Sequence, residues 1–352
     1  MATTTLTVDN ELLSATSIEA AKEARDLRHV VTPFLAEHAR VHGEGQPSKG
    51  SGHKWVGSFQ TGDHSSPTKR QTGYEQMNLS FSGVLTPMVL TPAEVSYPIG
   101  ISAVEEDLNG GDLQTIELAS RRAKAVMSKA KRDFEKHMLV GGVSQFDDFH
   151  TLQGTGIADG FLEAVAPGSQ NNVIGGFSKA TYAALPGANN QFFNVSSSFN
   201  TSGLTGIYRT IIKAKARALD DMNGLTVICS EKALENYKRT LQANERYMIM
   251  DNNDTLDGAN MNLLISGVPA HVSTHLGDYS VGSDIRHSMV LIDLNAIYFC
   301  WSKVIRDGYF SMSDFAPVSN GYSVRVSEVI IRGQLWAESF ASSAVIGNAE
   351  TF

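Results

Sequence analysis

One uninterrupted run, Asp112 to Val140, sets the frame for the rest of this chain. Asn109-Gly110-Gly111 precedes it, Gly141-Gly142 follows it, and neither Pro nor Gly falls inside. These flanks are helix start and stop signals. Asn109 or Asp112 can accept from the first free N–H groups, and Gly141 can turn left-handed past the end. Leu113, Ile116, Ala119, Ala123, Val126 with Met127, Ala130, Phe134 and Met138 recur in steps of three and four. That is one face of a 3.6-residue period, and it predicts a helix about 43 Å long at ~1.5 Å per residue.

The opposite face is basic. Arg121, Arg122, Lys124, Lys129, Lys131, Arg132 and Lys136 stand against Asp133 and Glu135. Two readings fit. The face can be solvated, its cations complementing the dipole toward the helix C-terminus. It can also be a strip turned toward a polyanion.

At 352 residues the chain can bury two or three domains' worth of core. Mean hydropathy is −0.14 and no run of ~18 apolar residues occurs, so a soluble protein with no membrane partner is expected. The N-terminus lacks a basic segment followed by an apolar one, which argues against a secretory signal and for the cytoplasm. Cys229 and Cys300 both lie in apolar runs and read as buried small hydrophobes. A formal charge of −8 opposes nonspecific DNA binding by the whole surface. Charged residues make up 19%, against the usual ~25%, which suits a surface largely covered by partners.

Catalytic motifs are approached and missed. Gly45-Gln46-Pro47-Ser48-Lys49-Gly50-Ser51-Gly52 has phosphate-loop spacing, but Ser51 stands where the Lys must be. Gly154, Gly156 and Gly160 set the third glycine one residue late for a dinucleotide fingerprint. His271 and His275 are four apart on a segment that reads as strand and loop, with Val272 in place of a general base. The residues offer no catalytic constellation, no metal set and no cofactor site.

Along the chain, residues 1–16 read as an arm without a core. Ser17 to Arg40 reads as a helix that Pro33 must break or kink near Val31. Seven glycines fall between Gly43 and Gly73. There, strand-like runs around Trp55, Ser58 and Phe59, and through Met77, Leu79 and Phe81, flank a polar tip bearing Lys69. This predicts a ribbon over 43–86 whose two faces cannot both reach their own core. Trp55, Phe59, Lys69, Met77, Leu79 and Phe81 are therefore the candidates for contact with a neighbouring subunit.

Met88 to Ser102 is strand-rich, and Leu204 to Leu219 is an amphipathic helix. Thr226 to Cys229 is a buried strand, and Ser230 caps a helix over Glu231 to Ala243. Leu263 to Ile265 and Met289 to Ile292 are further strands, and Tyr322 to Ile346 alternates as one or two long ones.

This order of elements resembles the major capsid protein of tailed bacteriophages over nearly the whole chain. The resemblance rests on Ile101-Ser102-Ala103-Val104-Glu105-Glu106-Asp107-Leu108, Phe134 to Gly142, Gly154 to Gly160, Asn223 to Leu241, and Leu263 to Val272 with Ser266-Gly267-Val268-Pro269. It implies an α+β fold with an N-terminal arm (1–42), an extended β-ribbon loop or E-loop (43–87), a peripheral domain with spine helix 112–140 (88–160 and 320–352), and an axial domain (161–319). It further implies a non-enzymatic structural protein of the virion, assembled in the host cytoplasm as hexamers and pentamers of an icosahedral shell around double-stranded DNA. Arg121, Lys124, Lys131 and Arg132 are then the DNA-facing candidates, without sequence specificity.

Many members carry a cleavable N-terminal scaffold region. This chain reaches its first helix within forty residues of Met1, so an uncleaved chain and a separate scaffolding protein are expected, along with a portal and, optionally, a decoration protein. Encapsulin-like nanocompartment shells share the fold and stay open as a reading. A cytoplasmic α+β enzyme is the rival from another class.

Overall fold

The computed structural model describes residues 32–42, 48–49, 53–64, 83–108, 118–153, 160–195, 199, 201–218, 224–242, 263–276, 280–281, 285–302, 310–317 and 324–349. In chain order these hold α1 (Pro33–His42), β1 (Ser48–Lys49), β2 (Trp55–Gln60), β3 (Leu85–Leu90), β4 (Ala93–Ser102), α2 (Ala103–Leu108) and α3 (Leu118–Val140). Then come β5 (Thr151–Gln153), β6 (Gly160–Leu162), β7 (Val173–Ile174), β8 (Phe177–Ser178), β9 (Gln191–Asn194), α4 (Thr201–Lys215), β10 (Leu225–Cys229) and α5 (Glu231–Gln242). The last are β11 (Leu263–Ile265), β12 (Val268–Val272), β13 (Ser280–Val281), β14 (Ile285–Asp293), β15 (Ile297–Ser302), β16 (Ser311–Met312), β17 (Ala316–Pro317), β18 (Val324–Ala337) and β19 (Ala344–Gly347).

The spine helix is α3. Ala130, Phe134 and Met138 are buried on its apolar face, and Ala123, Val126 and Met127 pack partly buried beside them. Gly141 ends it at φ 78°, its N–H bonded to the His137 carbonyl at 2.8 Å. Residues 112–117, the predicted first turns, lie outside the described residues. Phe134 is the anchor: its ring centroid lies 5.0 Å from Phe299, 5.9 Å from Trp301 and 6.1 Å from Phe146. Full burial of such side chains stabilises by ~1.5–3 kcal/mol each.

The first sheet is built on β18, which runs antiparallel to β4 from Val324↔Ser102 to Gly333↔Ala93 and antiparallel to β15 on its other side. In the second sheet the strands run β11-β12-β10-β14-β19-β9. A period of two divides its side chains between two cores. Val227, Cys229, Met289, Leu291, Ala344 and Ile346 pack with Ile207 and Ile211 of α4 and Tyr237 of α5. Ile228, Val290, Ile292 and Val345 point the other way, into the core that holds Phe134. Ser230 caps α5, accepting from the Ala233 N–H at 3.2 Å. Both cysteines are buried and neither is in a disulfide.

The strands cross the domain limits drawn from sequence. β15 lies inside 161–319 yet belongs to the first sheet, and β19 lies inside 320–352 yet belongs to the second. The short connections Asp293–Ile297 and Ala337–Ala344 each pass from one sheet to the other. The long alternating segment is accordingly two strands in two sheets.

Candidate assembly surfaces

The ribbon base is the antiparallel pair β2–β3, in register from Trp55↔Leu90 to Gln60↔Leu85. Sequence pattern had paired the Trp55 run with Met77 to Phe81; the strand that bonds it is Leu85–Leu90. Pro87 disguised that strand, and it is tolerated because a two-stranded ribbon has two edges on which a missing N–H breaks no ladder.

One face of this base carries Trp55, Gly57, Phe59, Thr86, Met88 and Leu90 and lies on its own subunit. Trp55 is 4% exposed. The half-buried Phe59 ring sits 4.6 Å from Phe177 and 6.0 Å from Phe340. Gly57 allows this seat: a Cβ there would stand 2.4 Å from the Trp336 indole. Polar bonds pin the same face. Thr86 Oγ1 lies 2.8 Å from Tyr182 Oη, and the Val89 N–H donates to Gly175 O at 2.8 Å.

Beneath this aromatic platform the buried Lys179 ammonium donates to Phe161 O at 2.7 Å and Asn190 Oδ1 at 3.2 Å, with the Phe340 ring 4.7 Å away. Burial pushes Lys179 down to about 7, and Glu163 at 3.8 Å opposes the shift.

Trp55 and Phe59 were assigned to a neighbour from sequence. The structure corrects this: Trp55 is buried in its own subunit, and the partners of Phe59, Phe177 and Phe340, come from distant parts of the same chain, which no local pattern reveals. The outward face, by contrast, is unspent. It carries Val56 and Leu85, each 65% exposed, with exposed Pro87 between them. Lys69, Met77, Leu79 and Phe81 lie outside the described residues. The two ends of the loop meet where the Thr61 N–H donates to Val84 O at 2.8 Å.

On the spine helix, Lys124, Lys129, Lys131 and Lys136 are exposed, whereas Arg121 and Arg132 are half-buried. Lys124 lies three residues beyond Arg121, and Lys131 and Arg132 lie seven and eight beyond Lys124, so the four share one side of the helix. Arg122 is committed elsewhere: it holds Glu105 at 2.8 and 2.9 Å and Gly100 O at 3.0 Å, stapling α2 and β4 to the spine. That clamp holds the Glu105 carboxyl below its ordinary value. Among the described residues no helix is long and apolar enough to cross a membrane.

Glu135, read from sequence as part of the charged face, is buried instead. Its two carboxyl oxygens accept the N–H groups of Phe34 at 2.7 Å and Leu35 at 3.0 Å, the free donors at the start of α1. Pro33 occupies the first helical position, where its missing N–H leaves nothing unpaired. Farther along α1, the Phe299 N–H donates to His38 Nε2 at 3.1 Å, and His42 Nε2 lies 2.9 Å from Leu294 O. Burial and the nearby His42 push His38 down to about 3. Glu37 meets Arg40 at 2.7 Å and His271 at 3.0 Å. Burial alone would raise Glu37, but those two partners outweigh it and hold the carboxyl below its ordinary value.

No family model and no curated protein sequence matches the chain. Solved structures match it along nearly its whole length. The cyanophage A-1(L) capsid superposes with a TM-score of 0.63 at 12% identity, covering 97% of this chain and 99% of its own. The capsid of a native GTA particle gives 0.56 at 12% identity, over 95% and 98%. The holo-SrpI encapsulin complex from Synechococcus elongatus PCC 7942 gives 0.55 at 11% identity, over 96% and 94%. An α+β chain with a ribbon loop, a long spine helix and two strand-exchanging sheets, aligned end to end with these shells, has the fold of the tailed-phage major capsid proteins, shared with encapsulins.

Proposed function

We propose that this chain is the major capsid protein of a tailed phage, a structural subunit that closes into hexamers and pentamers of an icosahedral shell around double-stranded DNA. The observation that carries the reading is the end-to-end likeness to capsid subunits, 97% of this chain on 99% of the cyanophage one. The ribbon supports it: a base seated on its own subunit presents exposed Val56 and Leu85 on an outward face. A separate scaffolding protein, a portal and an optional decoration protein complete the proposed partners, and the virion is the proposed location. Electron microscopy of the purified chain, expressed with its genomic neighbours, should show closed shells. A chain that stays monomeric in light scattering under those conditions overturns the reading.

The encapsulin match favours a cellular compartment as the second reading. Shells isolated from their natural source should contain DNA under the first reading and a folded cargo protein under the second.

The ribbon tip should be dispensable for folding and required for closure. Residues 62–83 can be replaced by an Asn-Gly turn, since Thr61 and Val84 already bond across the base. The shortened chain should keep the wild-type circular dichroism spectrum and form no closed shells. Normal shells would remove the ribbon from the assembly mechanism, and an unfolded subunit would place the tip in its own core.

Arg121, Lys124, Lys131 and Arg132 are the proposed DNA-facing cations. Exchanging all four for Gln should lower DNA retention in filled particles at raised salt, because each lost phosphate contact removes released counterions. Empty shells should form as before. An equal loss of empty shells would make these residues inter-subunit contacts instead.

A further inference from the structure

Among the described residues, contacts of three kinds join the two sheets. Apolar packing of Ile228, Val290, Ile292 and Val345 against the Phe134 core joins their faces, but such contact is non-directional and tolerates rotation. The crossover connections bond each other where the Glu338 N–H donates to Ala296 O at 2.8 Å. That bond lies on the line of the crossovers, so it pins an axis and leaves the angle free. Helix α1 adds directional contacts away from that line.

Its fastening is lopsided. Toward the spine and the first sheet it is tied by Glu135 and by the Phe299 N–H on His38, where Phe34, His38 and Glu135 are all within 1% of full burial. Toward the second sheet a polar contact runs from Glu37 Oε1 to His271 Nε2 on β12, at 3.0 Å; the His271 side chain is 29% exposed, but its Nε2 is buried. Helix α1 is therefore fastened to the spine at fully buried contacts, and the Glu37–His271 contact ties it to the second sheet.

We propose that Glu37 and His271 form a joint that fixes the angle between the two sheets, which makes His271 a positioning residue for shell curvature. The consequence for curvature rests on the assembly reading above; the joint itself does not. A shell of hexamers and pentamers needs its subunits confined to a narrow range of shapes, and a loosened angle widens that range.

Two measurements on the full chain test the joint. In His271→Ala, amide exchange over residues 36–42 and 268–272 of the unassembled subunit should speed up about 5-fold, the size expected for loss of one polar contact. Exchange in α3, β4 and β18 should keep wild-type rates. His271→Gln, which keeps a donor facing Glu37, should return most of the protection. Glu37→Ala, on the other side of the contact, should lose it. Shells of His271→Ala imaged by electron microscopy should spread in diameter relative to wild type.

Unchanged exchange in His271→Ala overturns the joint. So does exchange that rises equally through both sheets, which would make the contact part of the general core. Wild-type diameters in a variant whose local exchange has risen overturn the link to curvature. If the wild-type chain forms no shells at all, the assembly reading fails, and the exchange comparison still decides the joint.

Discussion

Glu135→Ala will destabilise the unassembled subunit by about 2–4 kcal/mol, lowering its Tm by roughly 3–5 °C. The substitution removes both acceptors from the Phe34 and Leu35 N–H groups. Phe34 is fully buried, so its amide has no water to turn to. Each orphaned donor costs about 1–3 kcal/mol, and the vacated volume adds to that.

The loss should depend on pH in a definite direction. Burial raises the Glu135 carboxyl from 4.5 to about 8, against the pull of the two N–H bonds. A group whose folded value is raised contributes stability that is complete below its unfolded value and is lost as pH rises through the folded one. The gap between wild type and Glu135→Ala is therefore widest below about pH 4.5 and narrows through pH 8. Thermal unfolding of both proteins at pH 5, 7 and 9 measures it. A Tm difference that grows from pH 5 to pH 9 would show that Glu135 is held as a carboxylate, with the helix N-terminus overriding burial.

That residue also marks the limit of what the sequence disclosed. The spine helix was legible because a 3.6-residue period repeated from Leu113 to Met138 with nothing to break it. The same period assigned Glu135 to the charged face, since its partner is the start of a helix a hundred positions earlier. The caps at Ser230 and Gly141 were legible for the same local reason.

Strand pairing was not. Met77, Leu79 and Phe81 alternate more cleanly than Leu85 to Leu90, which Pro87 interrupts, yet the latter bonds Trp55 to Gln60. The seat of the ribbon was hidden altogether. Gly57 looks like one more glycine in a glycine-rich loop until Trp336 is seen lying over it. The exchange of β15 and β19 between sheets leaves no trace in periodicity, because buried strands look alike whichever sheet receives them.

Gly333→Ala, one methyl group in the middle of β18, should cost at least about 3 kcal/mol and remove most soluble subunit. Gly333 lies between Ala93 on β4 and Trp301 on β15. A Cβ there would stand 2.3 Å from the Cys300 carbonyl oxygen and 2.4 Å from Phe299 Cε1. Neither neighbour can yield cheaply. The oxygen belongs to the adjoining strand, so moving it opens the β15–β18 ladder. The Phe299 ring is wedged between Phe134 at 5.0 Å and Trp301 at 4.5 Å, and displacing it disturbs the anchor of the spine helix.

Gly100→Ala on β4 of the same sheet is the control. Its Cβ would meet Val324 Cγ1 at 3.8 Å, an ordinary contact, so the change should leave Tm unmoved or raise it slightly by restricting the unfolded chain. Comparing the two variants by thermal unfolding separates lack of space from loss of glycine as such. A wild-type Tm in Gly333→Ala would mean that β15 and β18 spread apart without loss. The first sheet could then not be the rigid body from which the ribbon base and the spine helix take their positions.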